Sequence, residues 1–352
     1  EIGSGLVGSE MCIRDRTGGA PNNPFIEKTS GFEPLVFSSA RTVESFGQGK
    51  SIRGRNLHKI LLSSKKHTQK RKEGITGLGK KVLFAALGFL VVAAAFWVIW
   101  SNVTVELHRI TVQSAGLPTA FDGARIAHVS DLHNASFGED NQMLLQLLRQ
   151  SQPDIIAITG DLLDSRRTDV ETAARFVEQA VQIAPVYYVT GNHESRIPQA
   201  FAQLEKRMAA AGAQILRNQS LYWEREGQRV QLIGLDDPSF LVQESQLEDH
   251  LHSLQDEDCY QILLSHRPEL FDVYAAAGVD LSLTGHAHGG QFRIPFVGGV
   301  FAPAQGFFPR YDAGLYLQGQ SAMVVSRGIG QSVIPVRLNN RPEIVLVELC
   351  SS

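Results

Sequence analysis

The sequence predicts an α/β domain, residues 102–352, that follows one membrane-spanning helix. Three observations carry this reading. Short apolar, β-type runs alternate with helix-type runs from residue 104 to the end. One stretch of nineteen residues, 82–100, holds no charged side chain. Apolar residues make up 43% of the chain and charged residues 20%, an ordinary globular balance that excludes a wholly disordered, collagen-like or polytopic membrane chain.

The N-terminal elements come first. Residues 1–16 show no sustained helix or strand period and read as an extension derived from cloning or sequencing. Residues 17–64 are rich in Gly, Ser, Asn and Pro and read as disordered or not native to the protein. A basic run from Lys65 to Lys81 completes an N-terminal extension, 1–81, of net charge +8. The rest of the chain carries −11 and nine of the eleven histidines. An acidic, His-rich domain suits metal ions and repels a phosphate backbone, so no nucleic-acid binding is expected.

Residues 82–100, VLFAALGFLVVAAAFWVIW, come next. As a helix rising ~1.5 Å per residue they span ~28 Å, close to the hydrocarbon core of a bilayer. Trp97 and Trp100 sit near the far end, where interfacial aromatics are expected. A buried core helix and a cleaved signal peptide are the alternatives. The apolar run continues through Phe96–Trp100, beyond the Ala93–Ala95 cleavage site, so we read a retained single-pass anchor. The 17 residues before it carry seven Lys or Arg, and the 17 after it carry one, Arg109. The positive-inside rule then places the N-terminus in the cytoplasm and residues 101–352 outside.

Within 102–352 the strands are expected at 104–111, 124–130, 154–159, 186–190, 229–235, 260–265, 280–284, 322–327 and 343–349. The helices are expected at 140–151, 168–183, 198–211, 243–255 and 268–277. Three cysteines exclude a disulfide framework and a four-thiolate zinc site, although Cys259 and Cys350 could pair outside the cell.

The polar residues that carry chemistry follow the apolar strands directly, where open α/β sheets place their sites. RIAHVS runs into Asp131-Leu132-His133, IIAIT into Gly160-Asp161-Leu162-Leu163-Asp164, VYYVT into Gly191-Asn192-His193-Glu194, QILLS into His266, and LSLT into Gly285-His286-Ala287-His288. Each block alone is a common turn sequence. Five in order at strand ends supply enough carboxylate, amide and imidazole groups for two metal ions, with one imidazole left to move a proton. Arg196 and Arg267 directly follow two blocks and could meet a substrate phosphate. His128, inside an apolar strand, reads as a buried structural imidazole, and His250 and His252 as solvated. The segment 289–316 is rich in Phe, Gly and Pro. Its rings either pack on the domain or form an apolar wall that takes a lipid-like substrate or rests on a bilayer.

The series D-x-H, G-D-x-x-D, G-N-H-E, a lone His and G-H-x-H resembles the calcineurin-like metallophosphoesterase superfamily across residues 120–350. The text GHAHGGQFRIPFVGGVFAPAQGFFPRY, after a single anchor, is similar to the membrane-associated bacterial branch typified by the YkuE and YaeI phosphoesterases. The resemblance implies a four-layer αββα sandwich and two divalent ions, Mn, Fe or Zn. It implies that Asp131, His133 and His288 bind the first ion, Asn192, His266 and His286 the second, and that Asp161 bridges both. His193 would assist the leaving group, with Glu194 orienting it, and Asp164 would hold its loop. The implied activity is hydrolysis of a phosphodiester or phosphomonoester by a metal-bridging hydroxide, in an extracytoplasmic domain on a bacterial cell membrane. Two alternatives stay open: a pyrophosphatase acting on a nucleotide-linked or other phospholipid-like substrate, and a non-catalytic, metal-stabilised binding module.

Overall fold

The computed structural model describes residues 54–240, 246–331 and 334–352, so the extension over 1–53 lies outside the described residues. The chain divides into Glu1–Gly74 and Ile75–Ser352. In the first unit, residues 54–74 are helical. The second opens with the remainder of the same helix, α1 (Gly54–Val103). The helix therefore takes in the basic run as well as the apolar stretch. Its 25 residues Gly79–Val103 are long and apolar enough to cross a membrane. Their exposed Leu, Val and Phe side chains fit a transmembrane helix.

After α1 come two six-stranded sheets. The first has the order β1 (Glu106–Ser114), β16 (Glu343–Ser351), β2 (Arg125–Val129), β3 (Ile155–Thr159), β4 (Val186–Val189), β5 (Gln214–Ile215). Strands β2 to β5 are parallel. The second has the order β14 (Gly314–Gln318), β15 (Ser321–Val325), β9 (Leu281–Thr284), β8 (Gln261–Leu264), β7 (Gln228–Gly234), β6 (Gln219–Arg225), with β15, β9, β8 and β7 parallel. All nine expected strands are present.

Strand alternation sorts the apolar side chains into layers. Ile126, Ile155 and Val345 of the first sheet pack against Val230, Ile262 and Leu283 of the second, forming the core between the sheets. Their neighbours Ala127, Ile156 and Tyr188 point the other way, onto α2 (Gln142–Ser151), α3 (Val170–Ala180) and α5 (Pro198–Ala211). On the far side Ile233, Leu263 and Val325 meet α6 (Gln246–Leu254) and α7 (Phe271–Ala276). The result is the four-layer αββα sandwich. Each fully buried aliphatic side chain contributes roughly 1.5–3 kcal/mol.

The elements absent from the sequence reading are exposed sheet edges and very short segments. Strands β6 and β14 are sheet edges with half-exposed or exposed side chains throughout. Helix α4 (Asn192–Arg196) is only five residues long. Segment 289–316 forms two small hairpins, β10 (Arg293–Ile294) with β11 (Gly298–Gly299) and β12 (Phe301–Ala302) with β13 (Gly306–Phe307). Cys259 and Cys350 are both free thiols.

Candidate metal centre

The five motif blocks fall at the C-terminal ends of parallel strands. Asp131 and His133 follow β2, Asp161 follows β3, Asn192 and His193 begin the helix after β4, His266 follows β8, and His286 and His288 follow β9. Strands β2, β3 and β4 are neighbours in one sheet and β8 and β9 in the other, so the two sheets meet at one edge around these residues. The backbone turns abruptly there. Asp131, His133, Asp161, His286 and His288 all have φ between 45° and 62°, a left-handed conformation that costs non-glycine residues about 1–3 kcal/mol each. Gly285 permits the closest approach: a Cβ there would lie 1.8 Å from Ser130 Oγ and 2.5 Å from Asp131 Oδ2.

The side chains converge on two points. Asp131, His133 and His288 offer one cluster of ligand atoms, and Asp161, His266 and His286 another, the atoms within each lying within 4.8 Å of one another. Asp131 Oδ1 is 3.7 Å from His133 Nε2 and 3.5 Å from His288 Nε2. Asp161 Oδ2 faces both clusters, 3.5 Å from His133 Nε2 and 3.3 Å from His266 Nε2. His133 Nε2 and His288 Nε2 are 3.3 Å apart. The other oxygens are occupied by the scaffold. Asp131 Oδ2 accepts from Ser130 Oγ and the His286 N–H, and Asp161 Oδ1 accepts from the His193 N–H. His266 Nδ1 lies 2.7 Å from the Thr159 carbonyl, which can only accept, so Nδ1 carries a proton and Nε2 is the nitrogen that a cation would take once the ring is neutral.

These groups fit a divalent cation. Asp131 Oδ1 and Asn192 Oδ1 are buried acceptors that meet no hydrogen-bond donor among the described residues. Burial alone would raise both aspartates, but the surrounding imidazoles outweigh it and hold Asp131 and Asp161 well below the usual carboxylate range. Burial lowers His266, yet Asp161 and Asp131 win and push it up to about 10. The field at this point therefore calls for positive charge. His288, by contrast, is pushed down to about 3, chiefly by burial, which keeps it neutral.

His193 adjoins the first cluster: with His133 and Asp164 it makes a third group of ligand atoms within 4.8 Å of one another. Its Nδ1 accepts the Ser165 N–H at 3.0 Å, so the neutral ring carries its proton on Nε2, 4.0 Å from Asp161 Oδ2. Burial lowers its pKa more than Asp161 raises it. Asp164 Oδ1 lies 3.6 Å from His193 Nδ1 and accepts the Arg166 N–H, tying its own loop. The Glu194 carboxylate accepts the N–H groups of Asp161, Leu163 and Gly191. Burial and the Asp161 charge push it up to about 7.

A pocket of about 300 Å³ opens on Asp161, Asn192, His193, His286 and His288, walled by Arg166, Arg196, Phe301, Pro303 and Ile334. Arg196 is thus at the pocket. Arg267 does not line the pocket but touches the site from behind: it donates through Nε and Nη2 to buried Asp237 and through Nη1 to Glu269, and Nη1 is 3.0 Å from His286 Nε2. Ser165 and Arg166 were missed in the sequence, although both directly follow the G-D-x-x-D block. His128 is buried, its Nε2 2.8 Å from Thr159 Oγ1, while His252 is exposed.

Residues 124–290 match a family model described as calcineurin-like phosphoesterase. The chain is 31% identical over 254 residues to a Bacillus subtilis protein named uncharacterized metallophosphoesterase YkuE, spanning 70% of this chain and 86% of that one. It is 29% identical over 229 residues to phosphodiesterase YaeI of Escherichia coli, spanning 64% and 82%. A Bos taurus transmembrane protein with metallophosphoesterase domain is 29% identical over 267 residues, spanning 69% of this chain and 55% of that one.

Proposed function

Because this chain belongs to the calcineurin-like metallophosphoesterase family, and is therefore a metal-dependent phosphoesterase, we propose that it hydrolyses a phosphodiester or phosphomonoester with two divalent ions, Mn, Fe or Zn. Asp131, His133 and His288 hold one ion and Asn192, His266 and His286 the other, with Asp161 shared. When bound, the ions supply positive charge to the phosphoryl oxygens and a water acidic enough to attack phosphorus near neutral pH. The chain supplies the rest. His193 donates its Nε2 proton to the departing oxygen, held in that tautomer by the Ser165 N–H. Arg166 and Arg196, in the pocket wall, meet the non-bridging phosphoryl oxygens.

One observation carries this reading. Asp161 Oδ2 lies within 3.5 Å of imidazole nitrogens from both clusters, and two buried oxygens, Asp131 Oδ1 of the first cluster and Asn192 Oδ1 of a pocket-lining residue, lack a donor among the described residues. A non-catalytic binding module has no use for an imidazole whose tautomer is fixed beside the pocket. The apolar part of α1, with its basic flank, supports a single-pass anchor with the domain extracytoplasmic. The test is turnover of bis(p-nitrophenyl) phosphate and p-nitrophenyl phosphate by the full chain in detergent, stripped of metal and resupplied with Mn, Zn or Fe. Metal-dependent release of p-nitrophenol that is lost in Asp161→Asn is expected. Turnover unchanged by stripping or by Asp161→Asn would overturn the proposal.

A further inference from the structure

The end of the apolar helix is locked to the domain beside the pocket. Only Thr104 and Val105 separate α1 from β1, a span of at most ~11 Å. Asn102 donates to the Arg337 carbonyl and accepts the Arg337 N–H and the Gln331 side chain, each at 2.8 Å. Ser101 is buried, and the Arg341 guanidinium lies 4.6 Å from the centre of the Trp100 ring. A groove of about 630 Å³ starts at Asn102 and Val103 and reaches His133 of the metal centre, passing Phe137, Met143 and Ile329.

An apolar rim of exposed side chains flanks Arg337 on both sides. Ile334, Val336 and Leu338 are exposed, although all three are aliphatic. Gln291 donates to the carbonyls of Ile334 and Val336, and the Leu338 carbonyl accepts the Arg293 N–H, joining this segment to the β10–β11 hairpin. That hairpin presents Ile294, Phe296 and Val297 to the outside, with the Phe296 ring fully exposed. Six exposed apolar side chains on two hydrogen-bonded neighbouring segments are more than singly scattered surface residues and point to an interaction site. Aromatic rings beside the end of a membrane helix are what the bilayer interface favours.

We propose that this rim seats in the bilayer surface in which α1 is anchored, so that the pocket receives a phosphoester borne by a lipid of that same leaflet. This deepens, and rests on, the phosphoesterase reading above. The polar ester enters between His193 and the arginines. The lipid's chains lie along Ile334 and Phe301 and stay in the membrane, so the substrate need not leave the bilayer to be cleaved.

Two measurements on the full chain in phosphatidylcholine–phosphatidylglycerol vesicles test this. In a background whose three cysteines are replaced by serine, Phe296→Cys carries an environment-sensitive fluorophore. Glu226→Cys, in the β6–β7 turn at the opposite end of the domain from the strand ends that bear the site, is the control. Quenchers on the lipid chains are expected to reduce the emission at 296 at least two-fold, leaving 226 unchanged. A label at 296 as open to aqueous iodide as that at 226 would overturn the seating. Separately, Phe296→Asp is expected to slow cleavage of vesicle-borne hexadecyl p-nitrophenyl phosphate at least five-fold, and bis(p-nitrophenyl) phosphate less than two-fold. Equal effects on both esters, or none on either, would overturn the lipid substrate. If the unmodified chain cleaves neither ester, the phosphoesterase reading itself fails, while the fluorophore still reports whether the rim seats.

Discussion

The Ser165 N–H donates to Nδ1 of His193 at 3.0 Å, and this one contact decides which nitrogen of the ring faces the pocket with a proton. A backbone donor cannot turn over to accept, so the tautomer is fixed by the chain itself. Ser165 follows the loop that bears Asp161 and Asp164, and His193 begins α4 after the next strand. His193 and Asp161, the proton donor and the shared carboxylate of the proposed mechanism, are therefore positioned by the same loop.

His193→Ala is expected to lower kcat by ~10²–10⁴, the usual worth of a positioned acid, while leaving the metal content intact. The loss should grow with the basicity of the leaving group. An alkyl phosphodiester needs its leaving oxygen protonated, and a p-nitrophenyl ester hardly does. Steady-state kinetics on both esters, with metal analysis of the same samples, check this. An equal loss on both would place His193 in ground-state structure instead.

The two arginines singled out in the sequence should behave differently. Arg196 lines the pocket, so Arg196→Ala is expected to raise KM about ten-fold, equivalent to ~1.4 kcal/mol of binding, with an unchanged melting temperature. Arg267→Ala would strand Asp237, which is fully buried, and should cost ~3–5 kcal/mol of stability. Thermal unfolding beside steady-state kinetics separates the two outcomes.

A third expectation concerns pH. Glu343 is buried, and burial alone would raise its pKa, but His108 and Arg327 overcome this and hold it near 2. Its ordinary value is 4.5, so the folded value is depressed. The stabilisation is full above about pH 4.5 and is lost as the pH falls toward 2, some 3 kcal/mol in all. Glu343→Gln is expected to lower the melting temperature by roughly 6–12 °C at pH 6 and to leave it nearly unchanged at pH 2. The same loss at both pH values would mean that the side chain acts by shape and not by charge.

The central strands and the metal-seeking residues were legible in the sequence for one shared reason. Ile155–Thr159 and Leu281–Thr284 are apolar because both faces of each strand are covered, and the residues after them are polar because the strands end at the site. The edges were not legible. Gln219–Arg225 is half polar because one side of it meets water, and Gly314–Gln318 is the outer strand at the other edge. Roles carried by the backbone leave no letter. The Thr159 carbonyl that fixes His266 and the Ser165 N–H that fixes His193 could belong to almost any residue. The direction of Arg267 was also hidden, because it is set by Asp237, thirty residues earlier and on a different strand end.

The measurement that bears most directly on the metal centre is the number of ions held per chain, by elemental analysis of the full protein in detergent and of Asp161→Asn, each beside its turnover of bis(p-nitrophenyl) phosphate. Among the described residues, Asp161 Oδ2 is the one carboxylate oxygen within 3.5 Å of both histidine clusters. Two ions per wild-type chain, with fewer than two and at least ~10²-fold slower turnover in the variant, are expected if that oxygen is shared. A single ion in the wild type, or an Asp161→Asn protein that keeps both ions and full turnover, would contradict a shared two-metal centre.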